Sequence, residues 1–224
     1  MIFNIIKRLI DLFIAFTALI LLTPIFFIII IILTLTGEGE VFYLQERLGY
    51  KNKKFKIIKF ATMIKNSPKI GSGSITLRND PRVLPFGKFL RKSKINELPQ
   101  IFNVLLGEMS IVGPRPQMQV DFDKFPKKDR DYIYLSKPGI TGIGSIVFRD
   151  EEKWISNHDG DKHEFYKQNI SPYKSDLELW YLKNKSLIID FKLIFLTAWV
   201  IVFPQSNLPY IFFKNLPKKP DFLD

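Results

Sequence analysis

The 224-residue chain contains no cysteine, so disulfides and thiolate metal sites are excluded. Its two histidines, His158 and His163, are too few for a histidine-built zinc centre. A metal ion bound here would be a hard cation held by oxygen. Acidic residues are scarce beside basic ones, 22 against 33, which leaves a formal net charge of +11. Such a surface attracts polyanions, with nucleic acid, anionic headgroups and nucleotide diphosphates as candidates. No internal repeat or heptad pattern is present, and the length suits one catalytic or binding unit with attachments.

What the sequence has in excess is apolar residues near its start. Leu9 to Leu35 is a run of 27 residues interrupted only by Asp11, a few threonines and Pro24. It is too long for the apolar region of a signal peptide, and no cleavage site follows it. One reading is a single spanning helix, for which about 20 apolar residues suffice. Thr23-Pro24 near the middle favours another: proline lacks an amide proton and crowds the preceding turn, so a break there leaves two short arms. Lys7 and Arg8 precede the run and Arg47, Lys51, Lys53, Lys54, Lys56 and Lys59 follow it, so both flanks prefer the cytoplasmic face. A re-entrant helix-break-helix hairpin satisfies both, with Lys7 and Arg8 at the headgroups and Asp11 within their reach.

Farther on, residues 41–49 and 55–63 read as a β-hairpin about a Gly-Tyr-Lys-Asn turn, and 64–83 as a loop rich in Gly, Ser, Asn and Pro. "FGKFLRK" (86–92) is a basic amphipathic piece. "ELPQIFNVLLG" (97–107) fits a helix with Asn96 as N-cap, Pro99 in its first turn and Gly107 as its stop. Ser186 to Phe203 is a second apolar stretch, carrying Asp190 and Lys192; it suits either an amphipathic interfacial helix or a core helix, and Trp180, Tyr181 and Trp199 suit an interfacial belt. The proline-rich segment from Pro204 reads as an extended tail. The expected architecture is a small α/β (α+β) membrane-associated domain with several helices, divided as a hairpin over 1–36, a cytosolic or interfacial catalytic domain over 37–203 and a tail over 204–224.

Within this frame the chemistry gathers at "KSKINELPQIFNVLLGEMSIVGPRP" (92–116). Arg91 and Arg115 flank a carboxylate, Glu97, in sequence, and planar guanidinium groups suit the oxygens of a diphosphate. Glu97 is a plausible ligand for Mg2+, which usually takes one or two carboxylates plus phosphate oxygens and water. The plain alternatives are solvated arginines and a helix-dipole carboxylate. Asp150, Glu151 and Glu152 read as a solvated acidic face.

The order K-R-x-x-D, an apolar run with a central proline, "KFATM" (59–63), "FGKFLRKSKINELPQIFNVLLGEMSIVGPRP" (86–116) and "KPGITG" (137–142) resembles the bacterial sugar transferase family, the monotopic phosphoglycosyl transferases, over most of residues 5 to 200. The resemblance implies transfer of a sugar 1-phosphate from a UDP-sugar to polyprenol phosphate with release of UMP. It implies Mg2+ as cofactor and a place at the cytoplasmic face of the bacterial inner membrane, among membrane lipids, as a first step of glycan assembly. A homodimer is compatible with it and a nucleic-acid partner is not. It further implies a membrane break at Thr23-Pro24 and phosphate-binding roles for Lys59, Arg91, Arg115 and Arg149.

Two departures stand out. The family usually carries an Asp-Glu dyad before "LPQ", the Asp attacking phosphorus, whereas this chain has Asn96-Glu97. A neutral amide has no anionic oxygen for that attack, so the covalent route cannot run through Asn96. Three readings stay open: Glu97 as nucleophile, direct reaction of the substrates on Mg2+ with Glu97 as base, or an inactive chain. The last is a silent membrane-anchored scaffold that binds nucleotide-sugar. After "PGITG" the chain continues "IGSIVFRDEEKW" in place of the frequent Trp-Ala-Gln and Gly-Arg-Asn pattern; Arg149 still falls where the family arginine falls.

Overall fold

The computed structural model describes residues 2–36, 38–67, 70, 80–204 and 206–223. Most of the loop expected over 64–83 therefore lies outside the described residues. Two compact units divide the chain: Met1–Arg47 with Lys54–Ile111, and Leu48–Lys53 with Val112–Asp224.

The first unit begins with helix α1 (Ile2–Leu35), which runs through Pro24 as one helix. The expected two-armed break is thus absent; the residue at 24 removes one amide, yet the Thr23 hydroxyl bonds the Leu19 carbonyl at 2.8 Å and the helix continues. Asp11, Ala15, Phe26, Ile29 and Leu33 are buried, a stripe at helical spacing. Phe13, Phe16, Leu21, Phe27 and Ile28 remain exposed. The Phe26 ring meets Phe60 edge-on at 5.3 Å and Phe102 at 6.2 Å.

Strands β1 (Phe42–Leu48) and β2 (Lys54–Phe60) form the expected hairpin, with left-handed φ at Lys51 and Asn52 in the turn. Helix α2 (Pro85–Lys92) starts on its proline. Helix α3 spans Gln100–Leu106, shorter than expected: Ile95–Glu97 is a separate tight turn, Pro99 occupies the N-cap and Asn96 caps nothing. Gly107 ends α3 at φ 84, where a side chain would be strained.

Two charged residues of α1, Arg8 and Asp11, anchor it to this unit. Arg8 donates to the Val104 and Leu105 carbonyls at 2.6 and 3.1 Å, satisfying groups that the end of α3 leaves open. Asp11 accepts from the Ser110 hydroxyl and the Ile111 amide. Asn103, fully buried, bridges the edge of β2: its Oδ1 accepts from the Ile58 amide at 3.0 Å and its Nδ2 donates to the Lys56 carbonyl at 2.8 Å.

In the second unit Leu48, Phe122, Phe125, Ile133 and Tyr134 form one core cluster. Its helices are α4 (Gln119–Phe122), α5 (Lys127–Ile133), α6 (Ile143–Val147), α7 (Glu151–Asn157), α8 (Lys162–Phe165), α9 (Ser171–Asn184), α10 (Leu187–Val202) and α11 (Leu208–Phe212). Helix α9 buries Ser171, Lys174, Ser175, Glu178 and Tyr181, a polar stripe with partners from several elements. Ser175 donates to Asp129, Lys174 pairs with Glu151 at 2.6 Å, and the Tyr181 hydroxyl donates to Asp190. Glu151 therefore belongs to a packed ion pair, not to a solvated acidic run.

Ser186 caps α10 by accepting the Ile189 amide, and the helix buries Asp190, Leu193, Leu196 and Val200 while Phe191, Phe195 and Ile201 face outward. Trp180 and Tyr181 are core residues, so they form no interfacial belt. The segment after Pro204 is not an extended tail. Phe213 packs on Trp180 at 5.0 Å, and the Tyr173 hydroxyl reaches the Pro217 carbonyl at 3.0 Å.

Candidate active site

Of the residues singled out in sequence, Lys59, Arg91, Asn96 and Glu97 lie in the first unit and Arg115 and Arg149 in the second. In the first, β2, α2 and the Ile95–Glu97 turn pack together and bring Lys59, Arg91, Asn96 and Glu97 into one neighbourhood. Lys94 enters the turn at φ 61, and the Glu97 amide donates back to the Lys94 carbonyl at 3.1 Å, which fixes where Asn96 and Glu97 project. Lys59 Nζ lies 3.2 Å from Glu97 Oε1, with side chains 13% and 15% exposed. A pair this sheltered is screened far less than a surface pair, so Lys59 holds Glu97 in one pose. Asn96 is buried, and its Oδ1 has no hydrogen-bond partner. Buried polar atoms are nearly always satisfied, so this orphan, next in sequence to Glu97, is a candidate to meet a ligand.

No group of three or more His, Cys, Asp and Glu is present among the described residues. A cage for a fully protein-bound metal is therefore lacking there. Glu97 with the Asn96 oxygen nonetheless fits Mg2+, whose shell is ordinarily completed by substrate phosphate and water.

In the second unit Arg115 sits in the Gly113-Pro114-Arg115-Pro116 loop, which joins β3 (Ser110–Val112) to the chain that follows. Backbone pairing with β4 (Gly139–Thr141) fixes the loop's start: the Gly113 amide donates to the Thr141 carbonyl and the Gly139 amide to the Pro114 carbonyl, both at 2.9 Å. The two glycines are required by proximity, since a Cβ on Gly139 would fall 2.1 Å from the Gly113 nitrogen. The motifs "GPRP" and "PGITG" are thus two sides of one backbone contact. Around Arg115 the chain is held from both ends of its peptide unit. Its amide donates to Glu178 Oε1 at 3.2 Å, and the Tyr134 hydroxyl donates to its carbonyl at 2.9 Å while accepting the Gln117 amide at 2.8 Å. Burial pushes the Glu178 carboxyl up to about 7, against partial compensation from the Arg115 amide, Lys174 and the Arg115 charge. Arg149 follows α6, half-buried, its amide donating to the Ile146 carbonyl.

Glu178, Tyr134 and Asn103 escape a reading of the sequence by motif. Each supports a motif residue from a distance in the chain, and the one available signal for Glu178 is its place in the polar i, i+3, i+4 series 171, 174, 175, 178 on a helix whose other residues include Leu177, Leu179 and Trp180.

The family model described as "Bacterial sugar transferase" matches residues 2–204. The "UDP-galactose-lipid carrier transferase" of Erwinia amylovora is 32% identical over 88% of this chain and 40% of its own length. The "UDP-glucose:undecaprenyl-phosphate glucose-1-phosphate transferase" of Klebsiella pneumoniae is 35% identical over 86% of this chain and 39% of its own. The chain thus spans about two fifths of those longer relatives. It matches the "Exopolysaccharide production protein ExoY" of Sinorhizobium fredii at 31% identity over 90% of this chain and 87% of that protein. By the extent of the family match and the coverage of that last relative, the chain belongs to the bacterial sugar transferase family.

Proposed function

We propose that the protein transfers a sugar 1-phosphate from a UDP-sugar to polyprenol phosphate at a membrane surface and releases UMP. A phosphate oxygen of the lipid forms the new bond to the sugar-bearing phosphorus as the bond from that phosphorus to UMP breaks. The observation that carries the reading is the sheltered Lys59–Glu97 pair beside the orphan Asn96 oxygen, within a chain of this family. The names of two relatives, which specify UDP-sugar donors and a lipid carrier or undecaprenyl phosphate, support the substrate classes.

Glu97 supplies the one carboxylate at the position of the usual dyad, and acts on the lipid phosphate and on Mg2+ rather than through a covalent Asn96 adduct. Bound Mg2+ would offset charge on the diphosphate. Arg91, Arg115 and Arg149 bind phosphate oxygens, and Lys59 orients Glu97. Lipid access is supported by α1, which is apolar and exposed along most of its surface yet packed on one folded unit from Arg8 to Leu33. At 1.5 Å per residue it is about 50 Å long, against a hydrocarbon core of roughly 30 Å. A helix tied along its length to a folded unit suits a placement at one membrane face, with both charged flanks on the cytoplasmic side, better than a free span. Mg2+-dependent UMP release on mixing purified protein with polyprenol phosphate and a panel of UDP-sugars tests the function; no release with any common UDP-sugar overturns it. The Asn at 96 favours a second reading, a nucleotide-sugar-binding scaffold, for which UDP-sugar binds without turnover.

A further inference from the structure

Glu178 is a charged group buried in the second unit whose contact lies directly on a residue assigned to substrate. Its carboxylate approaches the backbone of the 113–116 loop from the buried stripe of α9, and Oε1 accepts the Arg115 amide at 3.2 Å. The opposite end of Arg115 is held by the Tyr134 hydroxyl, which also binds the Gln117 amide. Pro114 and Pro116 fix φ on either side. The Arg115 peptide therefore has two side-chain clamps and two rigid neighbours, an investment out of proportion for a solvated surface arginine.

The carboxylate also has a space prepared for it. Gly144 in α6 leaves room where an added Cβ would lie 2.4 Å from Glu178 Oε1. Oε2 is buried with no hydrogen-bond partner. Burying a carboxyl so incompletely satisfied costs stability, and a fold retains such a group where its position is needed. Ile143, Ile146, Leu177 and Tyr181 of the same two helices are buried as well.

We propose that Glu178 is a positioning residue for Arg115: through the Arg115 amide it fixes the 113–116 loop in the arrangement that presents the guanidinium to the diphosphate of a nucleotide-sugar. This rests on the reading of Arg115 given under the proposed function. Glu178 touches neither substrate nor reacting phosphorus, and works only through the loop. A side chain at 144 that displaces the carboxylate then acts on the same loop without altering Glu178 or Arg115.

The test is equilibrium binding of UDP-glucose and UDP-N-acetylglucosamine to the full chain in detergent with Mg2+, together with amide hydrogen exchange over 112–118. Wild type binds at least one of them. Glu178→Ala and Gly144→Ala both weaken binding about tenfold, the scale of a single charge-assisted hydrogen bond to the ligand, and both deprotect 112–118. Glu178→Gln, which keeps an Oε1 acceptor, stays close to wild type in both measurements. Combining Glu178→Ala with Arg115→Ala adds nothing to Arg115→Ala alone, because the two act through one group. Should Glu178→Ala fail to fold, Glu178→Asp is read in its place. Wild type that binds neither of these nor any other common UDP-sugar defeats the functional reading itself. Wild type that binds, with Glu178→Ala or Gly144→Ala unchanged in affinity, or with additive losses in the double variant, overturns the positioning role alone.

Discussion

Asp11, near the start of a helix that is otherwise almost wholly apolar, accepts hydrogen bonds from the Ser110 hydroxyl at 2.8 Å and the Ile111 amide at 3.0 Å. A carboxylate in an apolar run is expensive unless paired, and here both of its bonds are long-range contacts to the strand that precedes the Gly-Pro-Arg-Pro loop. Removing it strands two donors. Asp11→Ala is expected to lower stability by about 2 kcal/mol or more, and Asp11→Asn, which keeps one acceptor, by less. Thermal unfolding of the detergent-solubilised protein measures both, and an unchanged midpoint for the alanine variant would mean that these bonds hold nothing together.

Topology is accessible because the chain has no cysteine. Single substitutions Asn4→Cys and Glu40→Cys flank α1 on either side. In right-side-out and inverted vesicles both are expected to react with an impermeant maleimide only from the cytoplasmic face. Labelling of the two from opposite faces would make α1 a spanning helix.

The sequence singles out Glu97 and Arg115 because each lies in a short contiguous motif, and the β-hairpin lies where β-branched residues and a turn predict it. The Lys59–Glu97 pair and the Gly113–Gly139 contact join residues far apart in the chain and were not legible there. Failures share a cause: local pattern cannot weigh tertiary partners. Pro24 should interrupt a helix, but a long apolar helix packed along one stripe keeps its course through the missing amide. Trp180 and Tyr181 look interfacial until Phe213 and Asp190, from later in the chain, cover them. Asn96 resembles an N-cap by type and spacing, yet the φ of 61 at Lys94 sets a separate turn, and α3 starts later at Pro99.

If Glu97 is the working carboxylate, Glu97→Gln should cut UMP release about a hundredfold or more, the usual scale for removal of a general base. Lys59→Met leaves the carboxylate in place but removes its partner at 3.2 Å, so a smaller loss is expected. Steady-state UMP release compares them. Equal losses would mean that the pair, not the carboxylate, is what the reaction needs.

Asn96→Asp supplies the anionic oxygen that the dyad lacks, at a buried position whose Oδ1 has no hydrogen-bond partner. The variant is expected to release UMP faster. Incubated with UDP-sugar and no lipid acceptor, it should also gain the mass of a sugar phosphate, which intact mass spectrometry would detect. Wild type, limited to direct transfer, should gain none under the same conditions. An adduct on wild type would show that Glu97 is itself a nucleophile.

The buried Glu178 makes stability depend on pH in a direction that can be worked out. Burial lifts its carboxyl from the ordinary 4.5 to about 7, so the folded chain holds this proton more tightly than the unfolded chain does. Below 4.5 both states are protonated and the group has no effect. Between 4.5 and about 7 the unfolded state gives up the proton while the folded state keeps it, so stability falls as pH rises, and above about 7 the loss is complete. Lys174 and the Arg115 charge offset part of the cost, and burial outweighs them. Glu178→Gln cannot ionise. Its melting temperature minus that of wild type should therefore be flat at acid pH, rise through this window and level off on the alkaline side. All other titrations are common to the two proteins and cancel. A flat difference across the whole range would mean that Glu178 keeps an ordinary affinity for its proton, and with it that water or a cation reaches the unpartnered Oε2 in solution.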